Sequence, residues 1–190
     1  MNLQQANEYS KKLFSTQWVK WVHEGSKPAN TSAEKNAHAI SIDNKHCATC
    51  KNLNGFYFAA GKYPEIPLHP KCHCYTVNIP QPELKTECPI EKFTKYVFVP
   101  SLISDKKQLF ELLGYDIMDS EYLQQEFITQ ARLAYLVGDY ELGLLNEYGQ
   151  RINVVITLKR KDKNEHVTFR SGWMVYPNGK IILTTPFGRK

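Results

Sequence analysis

The chain has 190 residues and a formal net charge of +5, with 42% hydrophobic and 12% aromatic residues. These proportions are typical of a folded globular protein and exclude a disordered chain. No apolar run approaches the ~20 residues that a membrane-spanning helix needs, so we expect no membrane partner. The N-terminal segment lacks the apolar stretch of a signal peptide, which predicts residence in a reducing cytoplasm.

The charge is distributed unevenly along the chain. Residues 1–90 carry 10 Lys+Arg against 7 Asp+Glu, residues 91–150 carry 5 against 10, and residues 151–190 carry 9 against 2. A basic face raises the local concentration of polyanions, so the C-terminal region is a candidate RNA-binding surface. The alternative is a set of ordinary solvated lysines, with the cluster at 159–163 in a hairpin loop.

In chain order, the first half is predicted to contain a helix, a polar loop and a cysteine-rich segment with short strands. Apolar residues near helical spacing predict a helix over 2–23, and the polar composition of 25–45 predicts a loop or a short frayed helix. Residues 56–58 and 75–79 have the composition of short strands.

A proline-rich segment at 80–91 is predicted to be a stiff linker. It divides the chain into a helix and cysteine-knuckle module at 1–85 and a second domain at 91–190, which we expect to unfold separately. Cys88 falls in this linker and is interpreted as a lone thiol without a role.

Four of the five cysteines form two tight pairs, Cys47-x-x-Cys50 and Cys72-x-Cys74. Such spacings bring two sulfurs together, and two knuckles joined by a loop can hold a metal in a tetrahedral site. Zn²⁺ suits soft sulfur ligands in this geometry, which predicts a structural zinc with His69 as the alternative fourth ligand. Disulfides and free thiols are the alternatives, and a reducing compartment favours the metal.

The same segment resembles a known family. Its pattern is C-x-x-C, then a Leu-x-Gly step at Leu53 and Gly55, then H-P-x-C-x-C beginning at His69. This is similar to the cysteine signature that ends the head-morphogenesis domain of phage minor head proteins, the family of the Mu F protein. The family usually has Arg between the last two cysteines, where this chain has His73. The resemblance covers about residues 15–80 and implies phage head proteins as partners, in the virion or in the cytoplasm of a bacterial host.

The second half has a clear order of predicted elements. Alternating apolar residues predict strands, and capped stretches with an apolar face predict helices that end at Gly114 and Gly138. The order β-α-α-β-β-β predicts an α+β fold with helices on one face of an antiparallel sheet. The predicted ranges are a strand at 93–99, helices at 104–113 and 120–137, and strands at 152–158, 167–176 and 181–185.

His166 is the only histidine of the second half, which contains no nucleotide-binding loop or hydrolase motif. By two-residue alternation, His166 and Arg170 lie on the solvent face of the predicted sheet. An imidazole can take and give a proton and a guanidinium can bind a phosphate, so the two are candidates for metal-independent RNA cleavage. Thr184 or Thr185 is predicted to add a hydroxyl contact, with Arg151 and Tyr148 as the alternative site. The other interpretation is that these are ordinary solvated strand residues.

Residues 92–187, with Tyr148-Gly149 and a final Leu-Thr-Thr-Pro, are similar to small C-terminal domains attached to phage head proteins and other delivery proteins. Many such domains are polymorphic toxins, and the element order resembles the fold shared by barnase-like and RelE-like ribonucleases. The resemblance implies a ribonuclease effector, with a cognate immunity protein as a partner. Two other functions stay open: a non-catalytic module that binds head proteins or nucleic acid, and an inhibitor of a host protein that uses the acidic stretch 91–150.

Overall fold

The computed structural model describes residues 3–23, 48–70, 72–99, 106–146 and 148–187. They form an α+β fold with one three-stranded and one five-stranded sheet, so the predicted fold class is confirmed. None of the helices in these ranges is long and apolar enough to cross a membrane. The helices are α1 (Leu3–Ser15), α2 (Ala48–Leu53), a π-helix (Lys92–Val97), α3 (Lys106–Leu112), a 3-10 turn (Ile117–Asp119) and α4 (Ser120–Leu136). The strands are β1 (Trp18–His23), β2 (Tyr57–Ala59), β3 (Cys74–Ile79), β4 (Lys85–Glu87), β5 (Glu141–Asn146), β6 (Gly149–Lys159), β7 (His166–Tyr176) and β8 (Lys180–Thr185).

The first sheet is antiparallel, and β1 is its central strand between β2 and β3. The two short strands predicted around the cysteine segment are confirmed as β2 and β3. The helix predicted over 2–23 is wrong beyond Ser15, because the tryptophan segment is a strand. Tryptophans and β-branched valines fit a pleated, buried surface better than a helix. Trp18 and Trp21 are both buried in the sheet.

The second sheet is mixed, with the strand order β4-β8-β7-β6-β5. Strands β5 to β8 pair antiparallel, as predicted for β6, β7 and β8, whereas β4 pairs parallel to β8. The edge strands β4 and β5 were not predicted. Residues 85–87 were assigned to the linker, but their backbone belongs to this sheet.

The first predicted strand of the second half is wrong, because Lys92–Val97 is a π-helix. Its aromatic and β-branched composition favours a strand, but Phe93 and Val97 lie one turn apart and are both buried. The Phe93 ring centroid lies 5.2 Å from that of Phe127 and 6.1 Å from that of Phe110. Tertiary packing of this aromatic cluster overrides the local propensity.

The two predicted helices that follow are confirmed as α3 and α4. Gly114 and Gly138 follow their last turns at φ 85° and 69°. These left-handed conformations suit glycine at a helix end, as predicted. Ser104 and Asp105, at the start of the first of these predicted helices, lie outside the described residues.

One hydrophobic core joins the two sheets. The Trp18 ring of β1 packs edge-on against Tyr135 of α4, with centroids 5.5 Å apart. The Tyr140 hydroxyl donates to the carbonyl oxygen of Lys62 at 2.8 Å. The side chains of both halves therefore pack in one core. The division of the chain into two domains at 80–91 stays a prediction.

Candidate metal centre

The candidate metal ligands come together where α2, β1 and β3 meet. Leu53 and Phe56 are buried and anchor the segment that follows α2 against β1. The backbone N–H of Gly55 donates to the carbonyl oxygen of Trp21 at 2.9 Å, which fixes the end of α2 beside this strand. Cys50, in the middle of α2, thereby lies next to the cysteines near the start of β3.

Cys50, His69 and Cys72 form an outer triad whose ligand atoms lie within 4.8 Å of one another. The Cys50 and Cys72 sulfurs are 3.7 Å apart, and the Cys50 sulfur lies 3.2 Å from Nε2 of His69. Two thiolates on a tetrahedral zinc at Zn–S distances near 2.3 Å are separated by about 3.8 Å. The sulfur pair has this spacing, and the sulfur–imidazole contact is slightly shorter than a zinc site needs.

Cys50 also belongs to an inner triad with His23 and Cys74, again within 4.8 Å. Nδ1 of His23 lies 3.6 Å from the Cys74 sulfur, and the three residues are buried. The sequence did not single out His23, because it lies 24 residues before Cys47. Its proximity to Cys74 arises from the register of β1 and β3, which pairs these two residues directly.

The two free thiols of the cluster have opposite electrostatic environments. Burial opposes ionisation of Cys72, but backbone hydrogen bonds from Cys74, Leu68 and His69 outweigh it and lower the pKa of the Cys72 thiol. Burial raises the pKa of the Cys74 thiol to about 11, although the nearby Trp21 side chain acts to lower this pKa. N–H groups aimed at a sulfur favour its thiolate, the form that binds metals.

The cysteines of the cluster differ in oxidation state. Cys50 is disulfide-bonded, whereas Cys72 and Cys74 are free thiols. A disulfide sulfur is not a thiolate, so the cluster holds a metal through Cys50 only after this bond is reduced. Cys47 lies outside the described residues, and its predicted role as a ligand stays a prediction. The cluster has the donor set for a metal ion.

Cys88 and His73 lie outside both triads. Cys88 is buried, and burial raises the pKa of its thiol to about 12, so it is a poor nucleophile at neutral pH. His73 is exposed between the two cysteines of its pair.

His166 and Arg170 lie on the exposed face of β7, as predicted. His166 pairs with Lys159 at one end of the sheet, and the Arg170 guanidinium donates to the Glu141 carboxylate at 2.9 Å. The rise of a β-strand separates the two Cα atoms by about 13 Å. Arg170 is thus neutralised by a carboxylate and does not face the same point as His166.

Thr184 and Arg151 meet elsewhere on this face, beside Gly172. The Thr184 hydroxyl donates to the Gly172 carbonyl at 2.8 Å. A side chain at Gly172 would lie 3.3 Å from Oγ1 of Thr184 and 3.6 Å from Nη2 of Arg151. Tyr148, 70% exposed, lies before the start of β6. Since Arg151 and Lys159 are eight residues apart on this strand, this group lies about 26 Å from His166.

Comparison with protein-family models, with curated proteins and with solved structures gives no match to this chain. The fold and the cluster define an α+β protein with a candidate Cys/His metal centre.

Proposed function

We propose that this protein is a metal-stabilised, non-catalytic nucleic-acid-binding module of the kind carried by phage head proteins. In this proposal the Cys/His cluster holds one structural zinc, and the sheet face turned away from α4 binds the phosphate backbone. The resemblance of the cysteine segment to the head-morphogenesis signature supports the phage context. The observation that carries the binding function is the pattern of charge on that sheet face.

The binding face consists of outward-pointing side chains of the five-stranded sheet and the tip of the β6–β7 hairpin. Some of its cations are neutralised, as Arg170 is by Glu141 and Lys180 by Glu87 at 2.9 Å. Three others have no ion-pair partner within the described residues, and these are Arg151, Lys159 and Lys163. Unpaired cations spread over a sheet bind a polyanion through its phosphates, independently of base sequence.

The spacing of the candidate catalytic residues favours binding over catalysis. A general acid–base group must come within hydrogen-bond reach of the atom it serves. His166 lies at one end of the face and Arg151 with Thr184 at the other, about 26 Å away. One phosphodiester cannot contact both groups, whereas a single strand of several nucleotides can span them.

Binding is tested by fluorescence anisotropy with a labelled single-stranded RNA and a DNA of the same sequence at several salt concentrations. Three phosphate contacts predict a slope of log K against log salt of about −2. Changing Lys159→Gln and Lys163→Gln together should reduce the slope by about 1.4. Lys62→Gln, an exposed lysine away from this face, is the control and should change nothing. Absence of binding at low salt would contradict the proposed function.

The ribonuclease remains a second candidate because Arg151, an unpaired cation, lies beside Gly172 and the Thr184 hydroxyl. A glycine within a strand is often a place of close approach to a ligand. The protein is incubated with RNA and with DNA, with and without a chelator, beside His166→Ala and Arg151→Ala. Loss of a true acid–base group should lower the cleavage rate by about 10²–10⁴. RNA cleavage that survives chelation and is lost in either variant would replace the binding function by catalysis.

The metal is tested separately on protein that is reduced with a phosphine and purified without added metal. We expect about one zinc per chain by elemental analysis, and a lower melting temperature after chelation, because metal binding is coupled to folding. A zinc content near zero in the reduced protein, with the disulfide re-forming at once, would contradict the metal centre.

A further inference from the structure

We propose that His23 is a metal ligand through Nδ1, so that the metal is held in the inner triad of His23, Cys50 and Cys74. This inference rests on the proposed metal centre and names a ligand that lies outside the cysteine motif. It makes the central strand of the three-stranded sheet part of the metal site.

The first argument is the geometry of the inner triad. A tetrahedral zinc with Zn–N near 2.05 Å and Zn–S near 2.3 Å separates these two ligand atoms by about 3.6 Å. The distance from Nδ1 of His23 to the Cys74 sulfur is 3.6 Å. The contact between His69 and Cys50 in the outer triad is 3.2 Å, shorter than this edge.

The second argument is burial and rigidity. His23 and Cys74 are each 7% exposed and Cys50 is 0% exposed. His23 and Cys74 pair directly across two neighbouring strands, so the backbone already holds both ligands. In contrast, His69 and Cys72 lie in an irregular segment and are half-buried. A rigid site loses less conformational entropy when it binds a metal.

The third argument is the indole N–H of Trp21. Trp21 is fully buried, its Nε1 makes no hydrogen bond of ordinary length among the described residues, and the nearby group on which its side chain acts is the Cys74 thiol. Side chains at positions 21 and 23 share one face of β1, where they lie opposite Thr76 and Cys74. A metal-bound Cys74 thiolate would give this buried donor a charged acceptor, a contact that orients and stabilises a ligand.

The test uses the reduced full chain and Co²⁺ alone, whose absorption reports the number of thiolate ligands. The variants are His23→Ala and His69→Ala, with His73→Ala as the control because this exposed histidine belongs to neither triad. We expect His23→Ala to weaken Co²⁺ binding by at least about 10-fold. His73→Ala should bind as the parent protein does, and His69→Ala should lose less than His23→Ala.

His23→Cys keeps the inference testable if His23→Ala fails to fold, since it retains a ligand and should strengthen the thiolate-to-cobalt absorption. Trp21→Phe, which removes the N–H donor together with part of the buried indole ring, should shift that absorption. Parent-like Co²⁺ binding and spectra in His23→Ala or His23→Cys would overturn the role of His23 while leaving the metal centre intact. Absence of Co²⁺ binding by the reduced parent protein would overturn the metal centre and this inference together.

Discussion

Two buried tyrosine hydroxyls connect the N-terminal sheet to the second half of the chain. Tyr135 donates to the carbonyl oxygen of Tyr57. The Tyr140 hydroxyl donates to the Lys62 carbonyl at 2.8 Å and accepts from the backbone N–H of Ala59 at 3.3 Å. Each of these hydrogen bonds joins residues that are 78 or 81 positions apart in sequence. Each hydroxyl oxygen therefore holds two remote segments of the chain together.

Replacing Tyr140 by Phe tests this docking. The change keeps the ring and removes the oxygen, which leaves the Ala59 N–H and the Lys62 carbonyl without this partner. We expect the free energy of unfolding to fall by about 1–3 kcal/mol, measured by urea denaturation. Tyr148→Phe removes a hydroxyl from a side chain that is 70% exposed, and should change stability by less than about 0.5 kcal/mol. Equal stability of the two variants would contradict the docking role of Tyr140.

At the scale of elements, the outer edge of β6 is covered by a side chain where its neighbour ends. β5 pairs with β6 only as far as Asn153. Beyond that point, the amide of Gln130 on α4 accepts from the Thr157 N–H and donates to the Thr157 carbonyl, both at 2.8 Å. One glutamine side chain thus makes the two hydrogen bonds that a further strand residue would supply. It thereby protects this part of the sheet edge from pairing with another chain.

Gln130→Ala should therefore lower the free energy of unfolding by about 1–3 kcal/mol, because both backbone groups of Thr157 lose their partner. Hydrogen exchange at the Thr157 amide should accelerate more than at core positions such as Ile156. The matched control is Gln125→Ala on the exposed side of the same helix. An unchanged exchange rate at Thr157 would show that this contact does not protect the edge.

The elements that the sequence predicted correctly are those with local signals. α4 has an apolar face and a glycine stop, and β6, β7 and β8 show two-residue alternation or a clear turn between them. β4 and β5 lack such signals, since each is defined by pairing with a remote strand. For the site, spacing alone identified Cys50, Cys72 and Cys74, whereas His23 joins them only through the β1–β3 register.

At the scale of the whole molecule, buried phenols make stability depend on alkaline pH. Burial raises the pKa of Tyr135 and of Tyr140 above the ordinary value near 10. The folded protein keeps these groups neutral while the unfolded chain ionises, so their stabilising effect is complete below about pH 10 and is lost above it. Each group should add a slope of about −1.4 kcal/mol per pH unit above pH 10. The free energy of unfolding is measured by urea denaturation at several pH values from 10 to 11.5. It should fall less steeply with pH in Tyr140→Phe than in the parent protein.

The shared core predicts one cooperative unfolding transition, rather than the two that the proline-rich segment suggested. Trp18 and Trp21 report on the first sheet, and Trp173 reports on the second. In Trp173→Phe, tryptophan fluorescence follows the first sheet alone, while far-UV circular dichroism follows the whole chain. We expect the two midpoints in urea to coincide. Separate midpoints would restore the division into two independent units.

The parallel pairing of β4 with β8 also constrains how the chain is made. Residue 85 pairs with residue 180, ninety-five positions later, and the strands between them fill the sheet. At a ribosomal rate of about 5–20 residues per second, β4 is synthesised about 5–20 s before its partner. During that interval the nascent chain exposes an unpaired edge and an incomplete core. Completion of the fold must wait until β8 has been synthesised and has left the ribosome, and until then the incomplete core stays accessible to chaperones and proteases.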